Sequence, residues 1–326
     1  MIARLLAGRE RLILGALLLV LVVVPPFFSG FLLALVTQAL ILAILSMSLD
    51  VILGYTGLAS LGHAAYLGIG AYAVGILSTR YGAGFWTVLL VGVLGAAVVA
   101  AVFGLIALRA TGVYFLMITL ALGMVVWGLA HRWVSVTSGD NGIASVPRPR
   151  LGLGLPWSFS DAVPFYYLAL VAFLLAFTLL RVVVSSPFGQ TLVGIRESES
   201  RMRTLGYHVW LHKYIGFVIA GAVGGFAGVL WSYYNGFVSP ADLELATSVE
   251  TLLMVALGGR GTLYGPALGA AVIVLLKNLV SVYTHRWLLI LGAVYIGTIV
   301  YAPEGIVGAI RQWTERTRRD KAWSRG

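Results

Sequence analysis

Long apolar runs separated by short polar connections dominate the chain. They extend over Leu12–Phe28, Phe31–Leu53, Leu58–Ser78, Trp86–Leu108, Gly112–Ala130, Phe165–Val184, Tyr214–Tyr234, Ser248–Leu257, Tyr264–Val282 and Trp287–Tyr301. Most approach the roughly 20 residues a helix needs to cross the bilayer hydrocarbon. A lipid-embedded backbone must satisfy its own polar groups, so the pattern predicts an all-α integral membrane protein of about ten transmembrane helices. Ser248–Leu257 is too short to cross alone and reads as a half-helix or a short buried span. Leu12–Val24 follows Arg4, Arg9 and Arg11 in the manner of a secretory leader. No small-residue cleavage site precedes the next run, so an uncleaved first helix is expected.

Composition sharpens this picture. Of 326 residues, 60% are hydrophobic and only 10% charged, with a mean hydropathy of +0.96. Soluble domains carry about 25% charged residues, so an ordinary globular protein is excluded. The net charge of +10 sits between the apolar runs instead of on an aromatic-interleaved face, which argues against nucleic acid. Those cations instead indicate topology, because cytoplasmic loops are enriched in them. With the N-terminus inside, all but six of the 22 Arg and Lys fall on the cytoplasmic side, the six being Arg80, Arg132, Arg148, Arg150, Lys277 and Arg286. The expected layout is a cytoplasmic N-terminus over 1–11, a transmembrane region over 12–302 and a basic cytoplasmic C-terminus over 303–326. Within the membrane region, 131–164 forms an external loop and 185–213 a cytoplasmic segment. The chain has no cysteine, so disulfides and thiolate metal sites are unavailable.

Several polar positions stand out. In the 185–213 segment Pro187 is placed to open a helix and Gly206 to end one. Glu197 with Arg201 and Glu199 with Arg203 stand in the favourable acid-first i,i+4 order, so a short charged helix is predicted, with a solvated connector as the alternative. Gly54, Gly57 and Gly62 interrupt an apolar run beside Thr56, Ser60 and His63; a broken helix lining a pathway and a plain turn both fit. Glu250 and Lys277 also lie within or beside apolar spans, where unpaired charge is costly. Glu250 could cap the short eighth run, and Lys277 could snorkel to the outer surface. Thr56, Ser60, His63 and Glu250 are the candidate pathway residues.

The spacings Gly221/Gly225, Gly224/Gly228 and Gly265/Gly269 allow close helix approach, within the chain or with a partner. Gly258-Gly259-Arg260-Gly261 has the composition of a phosphate nest but lacks a following Gly-Lys-Thr. Lys213, Lys277 and Lys321 follow His, Leu and Asp, so no P-loop is present. His208 and His212 share a helix face but lack a third metal ligand. Asp140-Asn141-Gly142 fits an outer turn.

Taken together, Arg196–Gly206, the glycine-rich Tyr214–Leu230 run, ETLLMVALGGRGTLYG over Glu250–Gly265 and Pro303-Glu304-Gly305-Ile306 resemble the permeases of branched-chain amino acid ABC importers, specifically the LivM type. Gly54-Tyr55-Thr56-Gly57, Ser60–Ala64 and Gly139–Ile143 are similar to that family too. The resemblance implies a type II ABC importer-like permease fold in the bacterial or archaeal plasma membrane. Its partners would be a second, LivH-like permease, two cytoplasmic ATP-binding subunits, an external substrate-binding protein and membrane lipid. It implies neither cofactor nor nucleic acid nor enzymatic activity in this chain. It also implies that Arg196, Glu197, Glu199, Arg201, Arg203 and Gly206 lie where the permease couples to the ATPase. Here Ser200-Arg201-Met202 replaces the Glu-Ala-Ala of the general importer pattern. Urea or short-amide importers resemble the same motifs, whereas an ion-coupled secondary transporter would need coupled acid or histidine relays.

Overall fold

The computed structural model describes residues 21–23, 29–149, 159, 161–283, 287–301 and 305–308. Long helices are α1 (Gly30–Thr56), α2 (His63–Arg80), α3 (Phe85–Ala107), α4 (Gly112–Arg132), α6 (Ala162–Ser185), α9 (Val209–Asn235) and α11 (Tyr264–Tyr283). Shorter ones are α5 (Val134–Thr137), α7 (Pro187–Glu197), α8 (Glu199–Thr204), α10 (Leu245–Gly258) and α12 (Trp287–Tyr301). Among the described residues no strand forms; one antiparallel bridge joins Ile143 to Val238. By length and composition, α1, α3, α4, α6, α9 and Tyr264–Val282 of α11 are six helices able to cross a membrane. The chain is therefore an all-α, multi-pass membrane protein.

α1 and α9 pack against each other at the centre, and α2 packs against α9. Glycine lets these helices close to backbone contact. A Cβ on Gly70 of α2 would lie 2.0 Å from the Gly225 carbonyl oxygen of α9, and one on Gly228 would lie 1.9 Å from the Leu67 carbonyl oxygen. Added carbons at Gly221 and Gly225 would likewise meet Ala100 and Ala96 of α3. The glycine spacings of α9 thus serve packing within the chain. At the rim, α3 and α6 bury small residues such as Ala96, Ala100, Ala169 and Ala176. They turn Leu90, Leu94, Val98, Val171, Leu175 and Leu179 outward. Such apolar faces suit lipid, which rewards no burial of polar groups.

Two elements depart from simple crossings. The run Leu58–Ser78 becomes helical only at His63: Gly57 has φ 76°, and 57–62 turns back into the bundle before α2 begins. α2 does not reach the hydropathy of the six spans, because His63, Ser78, Thr79, Arg80 and its glycines and tyrosines dilute its apolar residues. The short eighth run is α10, 14 residues long, preceded by 236–244, which descends from the α9 terminus. Leu243 in that descent packs where a Cβ on Gly68 of α2 would sit, so α10 starts well inside the bundle. The run Leu12–Phe28 lies almost wholly outside the described residues, as do residues 1–11 and 309–326.

Candidate functional site

The 185–213 segment folds into two helices rather than one. Ser186 caps α7, its Oγ accepting from Gly189 N at 3.4 Å, and Pro187 occupies the first turn. At Ser198 the backbone is extended, and its Oγ accepts from Arg201 N at 3.4 Å to start α8. The break removes Glu197 and Arg201 from a common helix, so that pair does not form. Glu197 pairs with Arg196 at 3.2 Å, while Glu199 reaches Arg203 at 3.5 Å and also pairs with Lys213, which is buried at the start of α9. Arg201, Arg203 and Gly206 are exposed. Glu199 therefore ties α8 back to α9, and Glu197, Arg201 and Arg203 line an outward surface.

Arg196 turns the other way. Its Nη1 donates to the Gly54 carbonyl at 2.5 Å, capping one of the carbonyls that the end of α1 leaves without an intrahelical partner. One turn earlier, the carboxylate of fully buried Asp50 accepts from Gly261 N at 2.7 Å and from Leu263 N at 3.2 Å. Backbone amides in a tight turn make an anion-binding concavity. In this protein the concavity of the α10–α11 turn is filled by Asp50. Gly54 sits between them: a Cβ there would lie 2.1 Å from Asp50 Oδ1 and 2.3 Å from Gly261 N. Three parts of the fold thus meet here: the end of α1 and the α10–α11 turn at backbone contact, and the end of α7 through the Arg196 side chain.

Of the candidate pathway residues, Thr56, Ser60 and His63 are all buried around the 57–62 loop. The Thr56 hydroxyl donates back to the Ile52 carbonyl, a local helix bond. Ser60 Oγ accepts from Gly62 N at 3.3 Å, which stabilises the loop. His63 Nε2 pairs with Ser48 Oγ at 2.7 Å, and its Nδ1 has no hydrogen-bond partner. The next residue, Ala64, donates its amide to Ser248 Oγ at 3.0 Å. The starts of α2 and α10, the two interrupted elements, therefore meet inside the bundle.

Glu250 does not cap α10; Glu244 holds the N-cap position. Glu250 pairs instead with Lys277 of α11, at 2.9 and 3.2 Å through its two oxygens. Side-chain exposures are 12% for Glu250 and 31% for Lys277, so the lysine does not snorkel to the surface. The Cα–Cβ bonds of a helix tilt toward its N-terminus, which directs Lys277 back along α11 toward α10.

The opposite end of the bundle uses different chemistry. Ile143 and Val238 exchange backbone hydrogen bonds at 2.8 and 3.1 Å, fastening part of the 131–164 loop to the α9–α10 connection. His131, in the last turn of α4, pairs with Asp140 of the predicted turn at 2.7 Å. Asp242 accepts from Trp231 Nε1 at 2.8 Å and Ser239 N at 3.1 Å, and burial raises its pKa against those bonds. Arg148 lies 4.7 Å over the Phe165 ring, and burial lowers its pKa. No cluster of metal ligands occurs among the described residues; His212 Nδ1 contacts the His208 carbonyl at 2.9 Å.

Sequence reasoning missed Asp50, Ser48, Ser248 and the Glu250–Lys277 pairing. A signal for Asp50 existed: it is the sole charged residue in Phe31–Leu53, and an acid inside an apolar span demands a partner.

Comparison with known proteins gives this geometry a family. No solved structure matches the chain. Residues 31–299 match the family described as branched-chain amino acid transport system / permease component. The chain is 32% identical to the high-affinity branched-chain amino acid transport system permease protein LivM of Escherichia coli, over 93% of its own length and 76% of the relative's. The same figures hold for the protein of that description from Salmonella typhimurium. A probable branched-chain amino acid transport permease protein LivM from Methanocaldococcus jannaschii is 25% identical over 81% of this chain and 89% of its own. With the family match spanning most of the helical bundle, the chain belongs to the permease components of branched-chain amino acid transport systems.

Proposed function

We propose that this chain is the LivM-type subunit of an ABC importer for leucine, isoleucine and valine, working by alternating access. Family membership carries the reading, and the charged α7–α8 surface at one end of an otherwise apolar bundle supports it. The chain brings no P-loop, so hydrolysis belongs to two cytoplasmic ATP-binding subunits. A second, LivH-like permease completes the membrane path, and an external binding protein delivers substrate. The fold is of the type II importer kind with about ten membrane segments. Both termini lie in the cytoplasm, with 185–213 as the coupling segment and 131–164 outside. Glu197, Glu199, Arg201, Arg203 and Gly206 form or shape the ATPase-facing surface, with Arg196 at its root. Ser60, His63, Thr56 and Glu250 border the route that opens when the interrupted elements α2 and α10 rearrange.

The test is extraction of the tagged chain in mild detergent, identification of what co-purifies, and reconstitution with labelled leucine and labelled urea. Recovery of two ATPase copies and a second permease, with ATP-dependent leucine uptake, is the expected result. Urea uptake without leucine uptake would replace the substrate. Uptake by the chain alone, collapsing with the proton gradient, would replace the importer by an ion-coupled carrier.

A further inference from the structure

The junction of Asp50, Arg196 and the α10–α11 turn lies behind the docking surface, and its part in transport rests on the importer reading. We propose that Asp50 and Arg196 are positioning residues of the transport cycle: they join α7 to the end of α1 and to half-helix α10, so that displacement of the charged segment reaches the start of α2.

The outward residues of the segment and Arg196 do different things. Glu197 and Arg203 have side-chain exposures of 61% and 71%, whereas Arg196 spends its guanidinium on the Gly54 carbonyl and on Glu197. A guanidinium bonded to a helix-terminal carbonyl is a charge-assisted contact with fixed geometry. Asp50 then fixes the next component. Its two oxygens hold two amides of one turn, 211 and 213 residues away in sequence. The absence of a side chain at Gly54 leaves main chain against main chain, so a push is passed on instead of being absorbed by side-chain rotation.

From that turn α10 runs back into the bundle. Near its far end Ser248 Oγ holds the Ala64 amide, both groups buried. The chain of contacts is therefore Arg196 to Gly54, Gly261 to Asp50, then α10 from Gly258 to Ser248, then Ala64. It begins where an ATPase would push and ends where the two interrupted elements meet.

The experiment uses the complete transporter in liposomes, with partner ATPases, second permease and binding protein. Labelled leucine uptake and ATP hydrolysis are measured in the same vesicles for Arg196→Ala, Arg196→Lys, Asp50→Ala and Asp50→Asn, with thermal unfolding as a check on folding. Arg196→Ala is expected to keep the ATPases bound and hydrolysing while leucine moved per ATP falls about tenfold, a loss on the scale of one charge-assisted hydrogen bond. Arg196→Lys, which still reaches a carbonyl, and Asp50→Asn, which still offers an oxygen to Gly261, should restore much of that ratio. Asp50→Ala should match Arg196→Ala if it folds; the arginine pair decides the matter if it does not. An unchanged ratio in Arg196→Ala overturns the proposal, as does loss of ATPase co-purification, which would make Arg196 a docking residue. A wild-type chain that takes up leucine without ATPases removes the importer reading and the proposal together.

Discussion

Among the described residues, Asp50 of α1 and Glu250 of α10 are acids on helices of the apolar bundle, and they are held in opposite ways. Asp50 is satisfied by backbone amides of a turn, groups that cannot rotate away. Glu250 is satisfied by one lysine on a neighbouring helix, a flexible partner that is 31% exposed. The first arrangement suits a fixed joint, since separating its parts means moving main chain. The second suits an element that changes partner, because a lysine swings away without disturbing the helix that bears it.

The contrast is broken most strongly at the lysine. Lys277→Leu strands the Glu250 carboxylate and is expected to cost about 3–5 kcal/mol, the penalty of an uncompensated buried charge. Thermal unfolding in detergent measures it, and adding Glu250→Gln should recover most of the loss. Next comes Gly54→Ala, which wedges a carbon between Asp50 and Gly261 and should cost about 1–3 kcal/mol or abolish folding. No side-chain rearrangement relieves it, because Gly261 contributes backbone. Asp50→Asn should cost only about 1 kcal/mol, since it gives up the longer, 3.2 Å bond to Leu263 and keeps the one to Gly261. A loss as large as that of Lys277→Leu would show that the charge of Asp50, not its acceptor oxygens, holds the joint. The smallest effect belongs to Arg203→Ala, whose exposed pair with Glu199 is worth under about 1 kcal/mol. Stability should stay nearly constant there while ATPase binding weakens.

The long spans were legible because hydrocarbon thickness acts on each segment locally: Trp86–Leu108 in the sequence is Phe85–Ala107 in the fold, one of the six helices able to cross. The start of α2 was not legible: Leu58–Gly62 is apolar enough to extend a run, yet Gly57 reverses the backbone there. The single helix expected across Glu197–Arg203 failed for a similar reason. Ser198 competes with the helix by capping the next one. The Gly258–Gly261 turn had the composition of a phosphate nest but no following Gly-Lys-Thr, and the carboxylate it does hold lies more than 200 residues away in the chain.

Sequence alone determined the membrane class, the extents of the long apolar helices, a short apolar element near residue 250 and a charged helical segment opening at Pro187. Each follows from rules acting over one or two helical turns. Tertiary structure alone decided that Arg196 reaches the Gly54 carbonyl, that Asp50 fills the α10–α11 turn, that Lys277 meets Glu250 and that Ser248 holds Ala64. In an apolar medium each buried polar group must find a partner, but nothing local selects which one. Helix packing makes the choice, by the sites where glycine lets backbones touch.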